Sequence, residues 1–112
     1  AKGISTLFIE LFQAAQKFGV EEDIVASLVN TYGEDIVNVI DRNLSGSIIH
    51  ADRREHEMEN VVDFLKSEGL PYTMSEATRE KLAWVRDTKI KDNFEGDVPR
   101  DWHGVLAGWK MN

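Results

Sequence analysis

The sequence predicts an all-α fold, a compact single-domain bundle of five or six helices that spans residues 1–112. Three observations point to this fold. Apolar side chains recur at steps of three and four, which places them along one face of a helix. No stretch alternates with the period of two that a half-buried strand requires. Glycine and proline punctuate the periodic segments, and an apolar content of 42% suffices for a core at this length.

Residues 4–44 are predicted to form a three-helix unit with helix-turn-helix-like packing. The apolar stripe of the first helix is Ile4, Leu7, Phe8, Leu11, Phe12, Ala15 and Phe18, and Gly19 closes it. The second helix opens with three acidic residues, and its buried face would be Ile24, Val25, Leu28, Val29 and Tyr32. A third, short helix marked by Ile36, Val37, Ile40 and Leu44 is expected to end before a flexible segment at residues 45–47.

Two longer helices are predicted over residues 48–91. The first should cover residues 48–68, and its polar middle leaves only Ala51, Met58, Val61, Val62 and Leu65 for a buried line. Gly69, Leu70 and Pro71 form the stop signal of a Schellman cap. Thr73 and Glu76 fit a capping box, which predicts that the next helix runs from about residue 74 to 91.

The charge balance narrows the function classes. A net charge of −7 opposes non-specific association with nucleic acid or anionic membrane, because both depend on Lys and Arg near phosphates. A cationic partner surface suits the protein better. The absence of cysteine, of a membrane-spanning apolar run and of a secretory signal leads us to expect a soluble, cytoplasmic protein.

The helix pair over residues 7–29 has the steric pattern of a helix-turn-helix, with small Ala15 at the crossing and Gly19 at the turn. A recognition helix needs Arg, Lys, Asn or Gln near its N-terminal end to meet base edges. Here that end carries Glu21, Glu22 and Asp23, and residues 1–47 hold three basic residues against seven acidic ones. The pattern therefore favours helix packing over DNA reading.

The segment KFGVEEDIVASLVNTYGEDIVNVIDRNL contains a Phe18-Gly19 loop after helix one and a Gly33-Glu34 step into helix three. In these features it resembles the three-helix ubiquitin-associated type of domain. The resemblance covers about a quarter of the chain and implies that partner proteins bind through the loop and the last helix. The alternative, which we favour, is that residues 4–44 simply form a three-helix core.

The segment HADRREHEMEN concentrates metal-ligand side chains, and Asp52, His56 and Glu59 share one helix face at i, i+4 and i+7. The alternative is a solvated face, in which Asp52 pairs with His56 while Arg53 and Arg54 pair with Glu57 and Glu59. We favour the solvated face, because neither the HExxH nor the ExxH pattern occurs. With no phosphate loop or nucleophile elbow either, we predict no metal, no cofactor, no catalytic residues and no enzyme.

The helix over residues 79–91 carries the chain's local excess of positive charge. Its candidates for contact with nucleic acid are Arg79, Trp84, Arg86, Lys89 and Lys91. Trp84 would stack on a base while the cations meet phosphates. The alternative is a surface ladder of ion pairs with Trp84 packed inward.

A last helix is predicted over residues 97–110, interrupted weakly by Gly104 and Gly108. Its apolar stripe is Trp102, Val105, Leu106 and Trp109. Such a stripe suits the anchors of a helix that enters a partner's groove, and we assign these residues to partner binding. The alternative is that the helix docks on its own domain.

Together these features predict a non-enzymatic, acidic module that binds a basic or hydrophobic surface of a partner protein, as an adaptor, regulator or inhibitor. The alternative is a regulatory protein that binds nucleic acid through residues 79–91 or through the helix pair 7–29.

Overall fold

The structure, a computed structural model, describes residues 2–95 and 97–109. Its helices are α1 (Lys2–Lys17), α2 (Glu21–Tyr32), α3 (Ile36–Ile49), α4 (Ala51–Ser67), α5 (Thr73–Thr88) and α6 (Trp102–Trp109), and a 3-10 helix, Ile90–Phe94, follows α5. These residues include no strand. The prediction of an all-α bundle is confirmed. The last helix begins at Trp102 and not at residue 97, and position 110 lies outside the described residues.

The core forms where α1, α3 and α6 meet. Its fully buried side chains include Ile9, Phe12, Ile40, Leu44, Val105 and Trp109. The ring centroids of Phe12 and Trp102 are 6.0 Å apart, within the range of favourable aromatic pairs. Asp41 Oδ1 accepts the backbone N–H of Trp102 at 2.7 Å and so holds the start of α6 against α3. The short helix α6 therefore completes the core.

The predicted apolar stripe of α1 is wrong at its N-terminal end. Ile4 and Leu7 are exposed, and Ser5 and Thr6 are buried instead. The reason is the position of α5, which packs beside the start of α1 so that a Cβ on Gly3 would lie 3.6 Å from Thr78 Oγ1. At the helix ends the prediction also fails, because Phe18 and Tyr32 are 74% and 68% exposed.

Residues 45–47 are not a flexible segment, and α3 continues through them to Ile49. Ser45 and Ser47 are both buried. A Cβ on Gly46 would lie 2.9 Å from Arg54 Nη2, so the glycine admits that guanidinium against α3. The next helix consequently begins at Ala51, after a break at His50, and not at residue 48.

The helices α4 and α5 form an antiparallel hairpin. The Schellman cap is confirmed, because Gly69 has φ +66° and the N–H of Leu70 donates to Leu65 O at 2.9 Å. The capping box is wrong, since α5 begins after Tyr72 with no side-chain cap hydrogen bond. The helix ends at Thr88 and not near residue 91, because Lys89 adopts the left-handed conformation with φ 55°.

Glu55 joins the two helices of the hairpin. The predicted buried line of α4 omitted it, yet its side chain is only 6% exposed, whereas the predicted Val61 is exposed and Leu65 is half-buried. Glu55 Oε1 accepts from Arg86 Nη1 at 2.7 Å, and Glu55 Oε2 lies 3.8 Å from Arg79 Nη1. Because both arginines belong to α5, one carboxylate fixes the register of α4 against α5.

Replacing Trp109 with Ala should lower the free energy of unfolding by about 3–5 kcal/mol, because a fully buried indole leaves a large cavity. Trp84→Ala is the matched control. Its ring is only half-buried, beneath Lys81 Nζ at 4.7 Å, and its removal should cost about 1 kcal/mol. Urea denaturation measures both values, and equal losses would contradict the placement of α6 in the core.

Glu55→Ala should destabilise the fold by about 2 kcal/mol. This is below the roughly 3–5 kcal/mol typical of a broken buried pair, because Arg79 and Arg86 keep 29% and 35% of their side chains exposed. Glu59→Ala, one turn further along α4 with its side chain 54% exposed, should stay within about 0.5 kcal/mol of the parent. Thermal unfolding of the two variants tests this, and similar melting temperatures would refute the role of Glu55.

Candidate functional site

The predicted partner-binding stripe of α6 lies inside the protein. Trp102, Val105, Leu106 and Trp109 are each at most 4% exposed. Gly104 packs against Pro99 and Gly108 lies under the ring of Phe94, so both glycines allow the helix to approach its neighbours closely. In the folded domain the stripe is docked on its own core, and a partner reaches these residues only if α6 leaves it.

The basic residues of α5 are largely paired within the protein. Arg79 forms an ion pair with Glu76, and this hydrogen bond raises the pKa of Arg79. Hydrogen bonds to Asp87 and then Glu55 likewise raise the pKa of Arg86. Trp84 is half-buried, and Lys89 and Lys91 lie beyond the end of α5. Nucleic acid would have to displace these carboxylates to use the predicted face.

Two of the ion pairs predicted for the polar segment of α4 are present. His56 Nε2 lies 3.5 Å from Asp52 Oδ1, and Arg53 Nε lies 3.6 Å from Glu57 Oε1. Ligand atoms of Glu55, His56 and Glu59 lie within 4.8 Å of one another. Since the oxygens of Glu55 already face two guanidinium groups, a cation there would meet positive charge.

The helix-turn-helix-like pair faces α6 at the point where a recognition helix would begin. His103 Nε2 lies 2.9 Å from Glu22 Oε1, across from the first turn of α2. The turns on either side of α2 have φ +67° at Gly19 and φ +88° at Gly33. Both glycines therefore occupy conformations that other residues rarely adopt.

Exposed apolar side chains gather on α1 and the α4–α5 hairpin. Of nine large exposed apolar residues in the described chain, seven lie there, and we call these seven the apolar surface: Ile4, Leu7, Val61, Phe64, Leu70, Tyr72 and Met74. The other two, Phe18 and Tyr32, lie at helix ends elsewhere. Two of the seven, Leu7 and Met74, line the same groove.

A groove between α1 and α5 forms the best-defined part of the apolar surface. Leu7 and Met74 line it together with Gly3, Thr6, Ala77 and Thr78. The groove is mainly apolar, and the ion pair of Lys81 Nζ with Glu10 Oε1, at 3.0 Å, joins its two walls. Two packed helices with an apolar groove between them can receive a third helix.

Ion pairs and a cation–π contact lie on the same helices and hairpin turn as the apolar surface. Lys2 Nζ lies 2.9 Å from Glu57 Oε2 and ties the start of α1 to α4. Lys66 Nζ lies 5.1 Å from the ring centroid of Tyr72 at the hairpin turn. An apolar centre with a charged margin is the usual organisation of a protein interface.

Sequence reasoning assigned Ile4, Leu7 and Val61 to the core and so missed this surface. One signal was available, because Ile9 lies outside the predicted stripe of α1 and makes that helix apolar on more than one face. When a helix has two apolar faces and one contact with the core, that contact buries one face and leaves the other exposed. Which face stays exposed is decided by α5.

Across the described part of the chain, no helix is long and apolar enough to cross a membrane.

The chain is 26% identical over 86 residues to a protein from Methanothermus fervidus described as "Uncharacterized 28.5 kDa protein in 7S RNA 5'region". The match covers 77% of this chain and 34% of the relative, so the chain spans about a third of that relative's length. No solved structure matches the chain. The family model described as "Domain of unknown function (DUF1932)" matches residues 15–85, and the chain belongs to this family.

Proposed function

We propose that this chain is a protein-binding module that receives an apolar helix of a partner protein on the apolar surface. The observation that carries the proposal is the mainly apolar groove between α1 and α5, which the exposed side chains of Leu7 and Met74 line. Burial of apolar area is the main favourable term in most protein association, at roughly 25 cal/mol per Å². Phe64 and Tyr72 add aromatic side chains, which interfaces favour as anchors.

The negative charge of the protein favours a partner helix with basic residues beside its apolar stripe. The net charge is −7, and the exposed side of the α4–α5 hairpin carries acidic residues that include Glu57, Glu59, Asp63, Glu68 and Glu80. Basic side chains beside an apolar stripe complement this field and accelerate encounter. A second copy of the chain would bring −7 against −7, so the proposed partner is a different protein.

The nucleic-acid alternative receives less support from the geometry. Arg79 and Arg86 already pair with carboxylates of the same chain, and Lys81 pairs with Glu10. Counterion release requires cations that are free to meet phosphates. We therefore propose only the protein-binding function.

Two amphipathic peptides of about 20 residues provide a defined test. Both carry the same apolar helical stripe, one flanked by Lys and Arg and the other by Glu. The basic peptide should bind more tightly, and Leu7→Glu with Met74→Glu should weaken its binding at least about tenfold, because the two charges enter the groove. Both positions are exposed, so the melting temperature should stay close to that of the parent. Fluorescence anisotropy measures the binding.

Tyr32→Glu is the matched control, since it adds a charge at an exposed apolar residue outside the apolar surface. It should leave the affinity for the basic peptide within about twofold. The proposal fails if neither peptide binds, if the control loses as much affinity as the groove variant, or if sedimentation shows that the surface is closed by a homodimer.

A further inference from the structure

The groove between α1 and α5 has two walls with the same residue spacing. The α1 wall consists of Gly3, Thr6, Leu7 and Glu10, and the α5 wall repeats these steps from Met74 to Lys81. Each wall is two helical turns long, or about 10 Å. A Cβ on Gly3 would lie 3.6 Å from Thr78 Oγ1, so the two walls approach each other closely there. The groove therefore matches two turns of a partner helix.

The size of the groove limits which side chain of a partner helix can enter it. The groove encloses about 70 Å³, whereas a cavity of roughly 150 Å³ holds a benzene molecule. It therefore accepts one aliphatic side chain and has no room for an indole. Leu7 and Met74, which are 57% and 69% exposed, line the groove and can pack on that side chain. We call the partner residue that enters the groove the aliphatic anchor.

Glu10 and Lys81 make one part of the groove polar. Lys81 Nζ lies 3.0 Å from Glu10 Oε1 and 4.7 Å from the ring centroid of Trp84. The Lys81 side chain is only 21% exposed, whereas that of Glu10 is 61% exposed. The cation is thus covered by a carboxylate and an aromatic ring, while the carboxylate itself faces water.

This difference in exposure leaves Glu10 open to a second cation. Of the described residues that line the groove, Glu10 carries the one carboxylate and Lys81 the one positive charge. A carboxylate has about four acceptor positions, so a contact with Lys81 does not use its capacity. Leu7 and Glu10 are one turn apart on α1, with Cβ atoms about 5–6 Å from each other. A helix that packs on Leu7 therefore brings its next turn close to Glu10.

We propose that Glu10 selects the partner helix by pairing with a Lys or Arg three or four residues from the aliphatic anchor. This inference rests on the proposed function and specifies the partner of the same groove. Residues three or four apart share one helix face, so the anchor can fill the groove while the cation meets Glu10. A Glu or Asp at that position would be repelled by Glu10. The net charge of −7 attracts any basic peptide, whereas this ion pair requires a basic residue at one position.

Two helical peptides of about 20 residues, with the same composition and net charge, test the proposal. Both contain one Leu as the aliphatic anchor. The first has a Lys one turn before and one turn after the anchor, which serves either orientation of the helix, and the second has both Lys residues on the opposite face. The parent protein should bind the first peptide about two- to fivefold more tightly, the range for an exposed ion pair. Fluorescence anisotropy at constant low ionic strength measures both affinities.

Glu10→Gln should bring the ratio of the two affinities close to one. This ratio reports on the new ion pair alone, because losing the contact between Glu10 and Lys81 would change the affinities for both peptides alike. Glu10→Lys should reverse the selection and bind a version of the first peptide with Glu in place of Lys more tightly than the parent does. Asp23→Asn is the matched control, since it removes one carboxylate from an exposed position of α2, and it should keep the preference.

Three results would overturn the proposal. They are equal binding of the two peptides to the parent, a preference that persists in Glu10→Gln, and an equal loss of preference in Asp23→Asn. Each of these leaves the protein-binding function intact and removes only the role of Glu10. If neither peptide binds the parent, the proposed function fails and the selection by Glu10 fails with it.

Discussion

Glu55 is the point on which the arrangement of α4 depends. The hairpin buries few large apolar side chains between its two helices, chiefly Met58, Val62, Leu82 and Val85. A buried carboxylate in such a thin layer is destabilising unless its charge is matched, and Arg86 and Arg79 match it from α5. The ion pairs select one register of α4 against α5, since sliding either helix by one turn leaves a buried charge without a partner.

That register determines what each face of the hairpin presents. Arg79 and Arg86 turn towards Glu55, so the basic face suggested by the composition of α5 is neutralised. Val61 and Phe64, further along α4, remain exposed at the end of the hairpin.

The second constraint is the burial of α6. An eight-residue helix containing two glycines is unstable by itself, and it persists here because its tryptophans fill the space between α1 and α3. The glycines that weaken the isolated helix allow its close contact with Pro99 and Phe94. The most apolar segment of the sequence thus contributes to the core, while half-apolar segments of α1 and α4 supply the exposed surface.

The sequence by itself determined the order of the helices and the three glycine turns that separate some of them. The turns at Gly19, Gly33 and Gly69 need positive φ, which glycine provides locally, and Leu70 completes the Schellman cap within the same few residues. Only the tertiary structure decided which faces are buried. The exposure of Leu7, Glu55 and Trp109 is set in each case by packing against another helix of the fold. The continuation of α3 through Gly46 was decided in the same way, since the arginine that packs there comes from the next helix. Local signals fix backbone conformation over a few residues, whereas burial and ion pairing depend on which helices pack together.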